Sequence, residues 1–282
     1  MSDHLASLAL HLIDSGPVAV AVSGGVDSMT LATLAHRVGR HRVEMFHAVS
    51  PAVPPEATER VRNYAVREGW ELNMFDANEF RDADYVSNPV NRCFFCKTHL
   101  YGAIAGRTSA TVLSGTNTDD LGDYRPGLRA AENFNVRHPY VEVGIDKPGV
   151  RSIARELGLA DVAELPAAPC LASRIETGIA VAPLMLTLVN RVERDLTDLL
   201  HPEVVRCRIR AGNITVELDE ATLGRMSTGE RENVQNRVAE AWRGFGDDRP
   251  VELLPYRRGS AFLHLSAATA HRLSSTGPHS HE

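Results

Sequence analysis

The stretch Val18–Ser28, VAVAVSGGVDS, constrains the fold of this chain more than any other. A valine-rich apolar run, Val18 to Val22, breaks at Ser23-Gly24-Gly25. Helix-compatible sequence then resumes at Val26, with Leu31 and Leu34 on one stripe. The pattern reads as a central strand, a tight glycine turn and the first turn of a helix. Unpaired backbone N–H groups and the positive end of the helix dipole meet at such a corner, and both favour an anion. Gly24 and Gly25 let the main chain wrap a phosphate where a Cβ would obstruct it. Ser23 and Ser28 add hydroxyl donors. Asp27 cannot strengthen an anion site by itself, so it predicts either a bridging Mg²⁺ or a local N-cap bond. The spacing differs from the Walker loop, which sets a lysine on the phosphates. No lysine follows here.

Downstream, strand-like runs alternate with helical ones. Arg42–Val49 has the composition of a second strand, Glu56–Glu68 reads as a helix stopped by Gly69, and Glu71–Phe75 as a short third strand. Ala110–Ser114 is another strand-like run, Val136–Val143 a further candidate, and the next helix carries Val150, Ile153, Ala154 and Leu157 on one face. Such alternation predicts parallel βαβ units, hence an α/β fold with a twisted parallel sheet covered on both faces. Ligands of these sheets sit at the carboxyl ends of the strands. The Ser23–Gly25 turn lies at such an end.

Two later segments carry reactive residues. In NPVNRCFFCKTHLY, Cys93 and Cys96 are three apart, so a helical turn puts both thiols on one face. A CxxC alone is equally compatible with redox chemistry, a zinc knuckle, a cluster ligand pair or burial. In LPAAPCLASRIETG, two prolines hold Cys170 out of helix, with Ser173 and Arg174 close behind. A guanidinium near a thiol favours the thiolate, which suits a nucleophile, a sulfur donor or a metal ligand; an inert buried cysteine is the alternative. Between these segments lies GTNTDD with DYRPG. Gly115, Asn117, Asp119, Asp120 and Asp123 form an acidic loop after a strand, able to hold Mg²⁺ through oxygen, with Arg125 available to phosphate. A solvated acidic turn is the alternative there.

The pattern changes near Val181. The expected organisation is a first domain over 1–180, a smaller α/β domain over 181–260 and an extension over 261–282 that is disordered at its end, with His279 and His281 solvated. Leu184–Leu200 reads as an amphipathic helix, Asn233–Phe245 as a final helix and Val251–Pro255 as a short strand. Val204–Arg210 and Asn213–Leu218 alternate strictly around Ala211-Gly212, which predicts a hairpin. Its period of two puts Arg206, Arg208 and Arg210 on one face and Cys207 on the other. Three adjacent arginines need an answering anion: a ligand phosphate, or Glu217 on the facing strand.

Whole-chain quantities narrow the function class. With 282 residues, 43% hydrophobic and 23% charged, the chain reads as a globular protein, and no apolar run approaches a membrane span. The N-terminus lacks the basic start of a signal peptide, and its Leu5, Leu8, Ala9 and Leu12 recur at helical spacing. A cytoplasmic chain is the expectation, with its four cysteines serving as metal or catalytic thiols. A net charge of −6 argues against wholesale nucleic-acid binding.

SGGVDS resembles the PP-loop of the ATP pyrophosphatase superfamily, whose members cleave ATP between the α- and β-phosphates. Taken in order, SGGVDS, NRCFFCKTHLY, SGTNTDDLGDYRPG, PCLASR and VRCRIR…VEL resemble the LarE family of PP-loop sulfur transferases over roughly residues 17 to 255. The resemblance implies an enzyme of nickel-pincer nucleotide cofactor assembly for lactate racemase. Such an enzyme adenylates the carboxylates of pyridinium-3,5-biscarboxylic acid mononucleotide with ATP and Mg²⁺, then replaces AMP by sulfur. It implies ATP contacts from Ser23, Gly24, Gly25, Asp27, Ser28, Gly115, Asn117, Asp119 and Arg125, and substrate-phosphate contacts from Arg174, Arg206 and Arg208. Mg²⁺ ligands are then sought among Asp27, Asp119, Asp120, Asp123 and Glu217.

Some members sacrifice the sulfur of the cysteine matching Cys170. This chain, with Cys93 and Cys96 as well, resembles the branch in which three thiolates hold a [4Fe–4S] cluster carrying an exchangeable sulfide. Sacrifice of Cys170, zinc or a redox pair remain alternatives. Sulfide or a sulfur-delivery protein is the implied partner, and the implied assembly is a homo-oligomer, with a hexamer as the candidate state. Three competing functions are a tRNA-thiolating PP-loop enzyme, which needs a basic RNA surface; an ammonia-using amidotransferase, which needs no thiols; and a nucleotide-sensing module.

Overall fold

The structure, a computed structural model, describes residues 2–122, 126–257 and 259–261. Asp123, Arg125, His279 and His281 lie outside the described residues, as does the extension beyond Ala261. The helices are α1 (Asp3–Ile13), α2 (Val26–Val38), α3 (Pro55–Glu68), α4 (Ala83–Val86), α5 (Arg92–Ala105), α6 (Pro126–Asn133), α7 (Pro139–Glu142), α8 (Lys147–Glu156), α9 (Ala160–Ala163), α10 (Pro183–Leu200), α11 (Glu220–Arg225) and α12 (Thr228–Arg243). The strands are β1 (Val18–Ala21), β2 (Val43–Ala48), β3 (Glu71–Phe75), β4 (Thr111–Leu113), β5 (Val205–Ile209), β6 (Ile214–Leu218) and β7 (Val251–Pro255). Two compact units divide the chain. One holds Met1–Ala172 and Ala180–Asn190; the other holds Ser173–Ile179 and everything from Arg191.

The first unit is a parallel sheet of order β3-β2-β1-β4. The chain steps outward from β1 to β2 to β3, then crosses back to lay β4 on the other side of β1. That reversal opens a crevice at the carboxyl ends of β1 and β4, where open α/β sheets take their ligands. Alternation on β1 serves two cores. Val18 and Val20 face a layer built with Leu8, Leu31, Leu34 and Ile153; Ala19 faces one built with Phe46, Tyr101, Ile104 and Val112. Buried on both faces, β1 and the turn it delivers are held rigidly. The spacing of Leu5, Leu8 and Leu12 is confirmed by α1, which buries all three.

The expected strand over Val136–Val143 does not form. A single bridge joins Arg137 to Leu113, and Pro139 then opens α7. Proline at the first helical position loses no hydrogen bond and already has helical φ, so the helix wins over the strand.

The second unit is a sheet of order β5-β6-β7. The expected hairpin is present: β5 and β6 pair antiparallel, with Cys207 opposite Val216 and Arg206 opposite Glu217. β7 adds in parallel to β6. The final helix begins at Thr228 rather than Asn233. Ser227 and Glu230 form a reciprocal capping box there, which satisfies amide groups that would otherwise be orphaned. Among the described residues, no helix is long and apolar enough to cross a membrane.

Candidate active site

The glycine corner is pinned from inside. Ser28 Oγ accepts the Ser23 amide at 3.0 Å and donates to Gly25 O at 3.2 Å, and the Ser23 and Ser28 hydroxyls lie 3.0 Å apart. Gly24 has φ +85°, and a Cβ there would stand 2.7 Å from Ala57 O of α3. Backbone conformation and crowding therefore both require glycine. Arg60 Nη1, also on α3, donates to Gly24 O at 2.8 Å. Gly25 is the N-cap of α2, and Asp27 lies within its first turn. Of the two roles expected for Asp27, the capping one is thus excluded.

Asp27 instead belongs to a closed ring of four residues. Its Oδ1 accepts Asn117 Nδ2 at 3.2 Å; Asn117 Oδ1 accepts the Asp119 amide at 3.1 Å; Asp119 Oδ2 accepts the Lys147 amide at 3.1 Å; and Lys147 Nζ returns to Asp27 Oδ2 at 2.5 Å. Tyr140 Oη donates to the Asp27 carbonyl at 2.9 Å. The loop after β4 approaches closely because Gly115 has no side chain: a Cβ there would meet Asp27 C and Ser28 N at 2.9 Å. Asp120 turns inward, its Oδ2 accepting the Asn117 amide at 3.2 Å. Six of the residues sought at the carboxyl edge, namely Ser23, Ser28, Asp27, Gly115, Asn117 and Asp119, are therefore in one place. Mg²⁺ carried by phosphates needs only one or two protein carboxylates, and Asp27 with Asp119 fits that donor set.

Cys93 and Cys96 lie on α5 as the spacing requires, Cys93 exposed and Cys96 half-buried. Cys170 lies in the extended segment before a short 3₁₀ turn at Leu171–Arg174. Cys96 and Cys170 are close enough to act on one another electrostatically. Burial, then Cys170, then Glu79 and Cys93 push the Cys96 thiol up to about 12, while Lys97 opposes them. Lys97 stands over the Tyr101 ring at 5.5 Å and interacts with all three cysteines. Crowded thiols of this kind resist ionising unless a cation is added. Among the described residues, no three His, Cys, Asp or Glu side chains stand in a ligating array. Three thiols from two segments are nonetheless the chemistry an iron–sulfur centre takes, and Cys96 feels the charge of both Cys170 and Cys93.

In the second unit, Glu217 is not available as an expected Mg²⁺ ligand. Its Oε2 accepts Arg208 Nε at 3.0 Å, and its Oε1 accepts Arg210 Nη2 at 3.1 Å as well as the Ser260 hydroxyl. Buried and doubly paired, it is the counter-ion that the hairpin arginines require. Arg174 is paired with Glu193. Arg206 Nη1 donates to Val205 O at 2.7 Å and its guanidinium stands over the Tyr256 ring; burial and then the charge of Arg174 push its pKa down, Arg208 adds to this, and Glu193 and Tyr256 oppose them. Cys207 is buried and its thiol pushed far up by burial, so it is structural, as the alternation on β5 implies.

Sequence reasoning missed Lys147, Arg60 and Tyr140. A signal existed for Lys147, since Asp146 and Pro148 mark a helix start, with Asp146 accepting the Gly149 amide at 2.8 Å. Nothing in the spacing connected that start to residues near position 27.

A parallel sheet with a serine–glycine corner at its switch point, braced by a carboxylate–lysine ring, defines a PP-loop, ATP-using domain. Residues 5–121 match the asparagine synthase family profile, in keeping with that class. The chain is 37% identical over 203 residues to an uncharacterised protein of Synechocystis sp., covering 71% of this chain and 75% of that one. A pyridinium-3,5-bisthiocarboxylic acid mononucleotide synthase of Lactiplantibacillus plantarum is 30% identical over 224 residues, covering 78% of this chain and 80% of its own. An uncharacterised Methanocaldococcus jannaschii protein is 25% identical over 207 residues, covering 72% and 78% respectively. The chain belongs to the LarE family and is an ATP-dependent enzyme.

Proposed function

We propose that the chain is an ATP-dependent sulfur transferase that converts the carboxylates of pyridinium-3,5-biscarboxylic acid mononucleotide to thiocarboxylates. The observation that carries this reading is that a phosphate corner and three thiols occupy one compact unit of a LarE-family chain. The Gly24 and Gly25 amides, with the Ser23 and Ser28 hydroxyls once these turn from their bonds within the corner, receive the β- and γ-phosphates of ATP, with Arg125 as a further phosphate contact. A substrate carboxylate oxygen attacks the α-phosphorus, the bond to the bridging oxygen breaks, and pyrophosphate departs. The carboxylate, whose oxygen is a poor leaving group, has then become an acyl adenylate. Sulfide attacks the acyl carbon, the C–O bond to AMP breaks with its electron pair, and the thiocarboxylate remains.

Mg²⁺, when bound, neutralises the departing pyrophosphate; Asp27 and Asp119 would hold it, with Asp120 and Asp123 nearby in sequence. Cys93, Cys96 and Cys170 would hold a [4Fe–4S] cluster, which when bound supplies the sulfide. Lys97 keeps positive charge beside them, which suits an anionic sulfur. Arg174, Arg206 and Arg208 are assigned to the substrate's phosphate by the likeness to the family, beside the pairing of Arg174 with Glu193 and of Arg208 with Glu217. A sulfide source or sulfur-delivery protein and a homo-oligomeric, candidate hexameric, assembly belong to the same reading. Sacrifice of the Cys170 sulfur is the alternative route.

Anaerobic purification followed by iron and acid-labile sulfide analysis tests the reading, with thiocarboxylate formation assayed alongside. Iron in the wild type and its loss in Cys170→Ala support the cluster route. An iron-free enzyme that leaves dehydroalanine at position 170 assigns the sacrificial one. Full thiocarboxylate formation by a Cys93/Cys96/Cys170→Ala triple variant overturns both.

A further inference from the structure

The chain contains two lysines, Lys97 and Lys147, in a total of 30 lysines and arginines. Positive charge is supplied almost everywhere by arginine, so the two exceptions mark places where a compact ammonium is kept. Lys147 opens α8, and its Nζ reaches Asp27, in the first turn of the helix that follows the phosphate corner. Its backbone is fixed at both sides. Asp146 caps the helix, and the Lys147 amide is held by Asp119, so the ammonium is delivered from a rigid base. The side chain is about one-third exposed at 32%, which leaves it reachable by a ligand.

We infer that Lys147 is the phosphate-binding cation that the PP-loop itself lacks, and that its ion pair with Asp27 is a resting position which nucleotide binding exchanges. This rests on the ATP-dependent reading above. An ammonium is a point charge that follows a phosphate without the planar geometry a guanidinium imposes. While paired, it offsets the charge of Asp27 and occupies one of its oxygens, so a bare divalent cation meets a carboxylate already engaged. Polyphosphate draws Lys147 away and uncovers the carboxylate for the cation. Phosphate and divalent cation therefore favour each other's binding, and the coupling is reciprocal. The ring through Asn117 and Asp119 keeps Asp27 in position while its partner changes.

Equilibrium titration of the full chain with pyrophosphate, ATP and AMP, each with and without Mg²⁺, provides the test. Lys147→Met is expected to weaken pyrophosphate and ATP binding at least fivefold with AMP affinity unchanged, and Lys147→Arg to recover part of the loss. Mn²⁺ titrated without nucleotide is expected to bind the Met variant more tightly than the wild type. A change in ATP and pyrophosphate affinity below fivefold, or an equal loss for AMP, overturns the phosphate role. Mn²⁺ affinity no higher than in the wild type overturns the exchange. A wild type that binds no ATP would instead remove the ATP-dependent reading, so the two failures are separable. Melting temperatures of both variants close to that of the wild type exclude unfolding as the cause.

Discussion

Glu193 holds Arg174 with both carboxylate oxygens, Nε to Oε1 and Nη2 to Oε2 at 2.9 Å each, and Oε1 also accepts the Cys207 amide at 2.9 Å. Their side chains are only 4% and 10% exposed. A charge left alone in such a place is far more costly than the pair is favourable. Glu193→Ala is therefore expected to destabilise the protein by about 3–5 kcal/mol, read as a lower urea midpoint. The paired change Arg174→Met with Glu193→Leu should recover most of that loss. A double variant no more stable than the single one would refute the ion-pair account.

Gly24 and Gly16 separate backbone strain from crowding. Both have positive φ, but a Cβ at Gly16 meets nothing within 4 Å, whereas one at Gly24 meets Ala57 O. Gly16→Ala is expected to cost about 1–3 kcal/mol of stability and leave ATP binding unchanged. Gly24→Ala should lower the melting temperature further and abolish ATP binding in a calorimetric titration.

His47 is buried, with Nδ1 at 2.7 Å from Val22 O and Nε2 at 2.9 Å from Thr58 Oγ1. The carbonyl can only accept, so Nδ1 carries the proton and Nε2 accepts from the threonine hydroxyl. Burial, reinforced by Arg62, pushes its pKa down despite the bond to Val22. The unfolded chain therefore takes up a proton that the folded one refuses. Stability is full above about pH 6.5, the unfolded value, and is lost as pH falls through the lower folded one. Melting curves between pH 5 and 8 should show this loss in the wild type and a weaker one in His47→Gln.

The thiols should differ in reactivity in protein stripped of metal. Cys93 is exposed, Cys96 is half-buried with its thiol pushed up to about 12, and Cys207 is buried. Because the thiolate is the nucleophile, iodoacetamide near pH 7.5 is expected to label Cys93 first, Cys96 slowly and Cys207 last. Peptide mass spectrometry reads the order directly. Metal-loaded protein should protect Cys93 if the cluster route holds, and early labelling of Cys207 would contradict the buried placement.

Much of the first unit was legible from local pattern. The valine run, the glycine pair and the helix after them specify β1, the corner and α2 within a dozen or so residues, because burial on both faces and freedom at φ are local requirements. The hairpin was legible for the same reason, from a period of two around a glycine turn. Errors arose where short-range signals competed. Val136–Val143 has strand composition, but Pro139 starts a helix inside it; the last helix starts ahead of Asn233 because the capping pair Ser227 and Glu230 fixes its first turn within a polar stretch that carries no apolar period.

The chain by itself determined the strand–turn–helix corner, the shared face of Cys93 and Cys96, and the burial of Cys207, since each follows from the period of a single element. Tertiary structure alone decided that Lys147 meets Asp27 and that Glu217 answers Arg208 and Arg210 instead of a metal. Strand order and register bring those groups together. Both are set by the packing of whole elements, so the partner of a charge is not written in its neighbours along the chain.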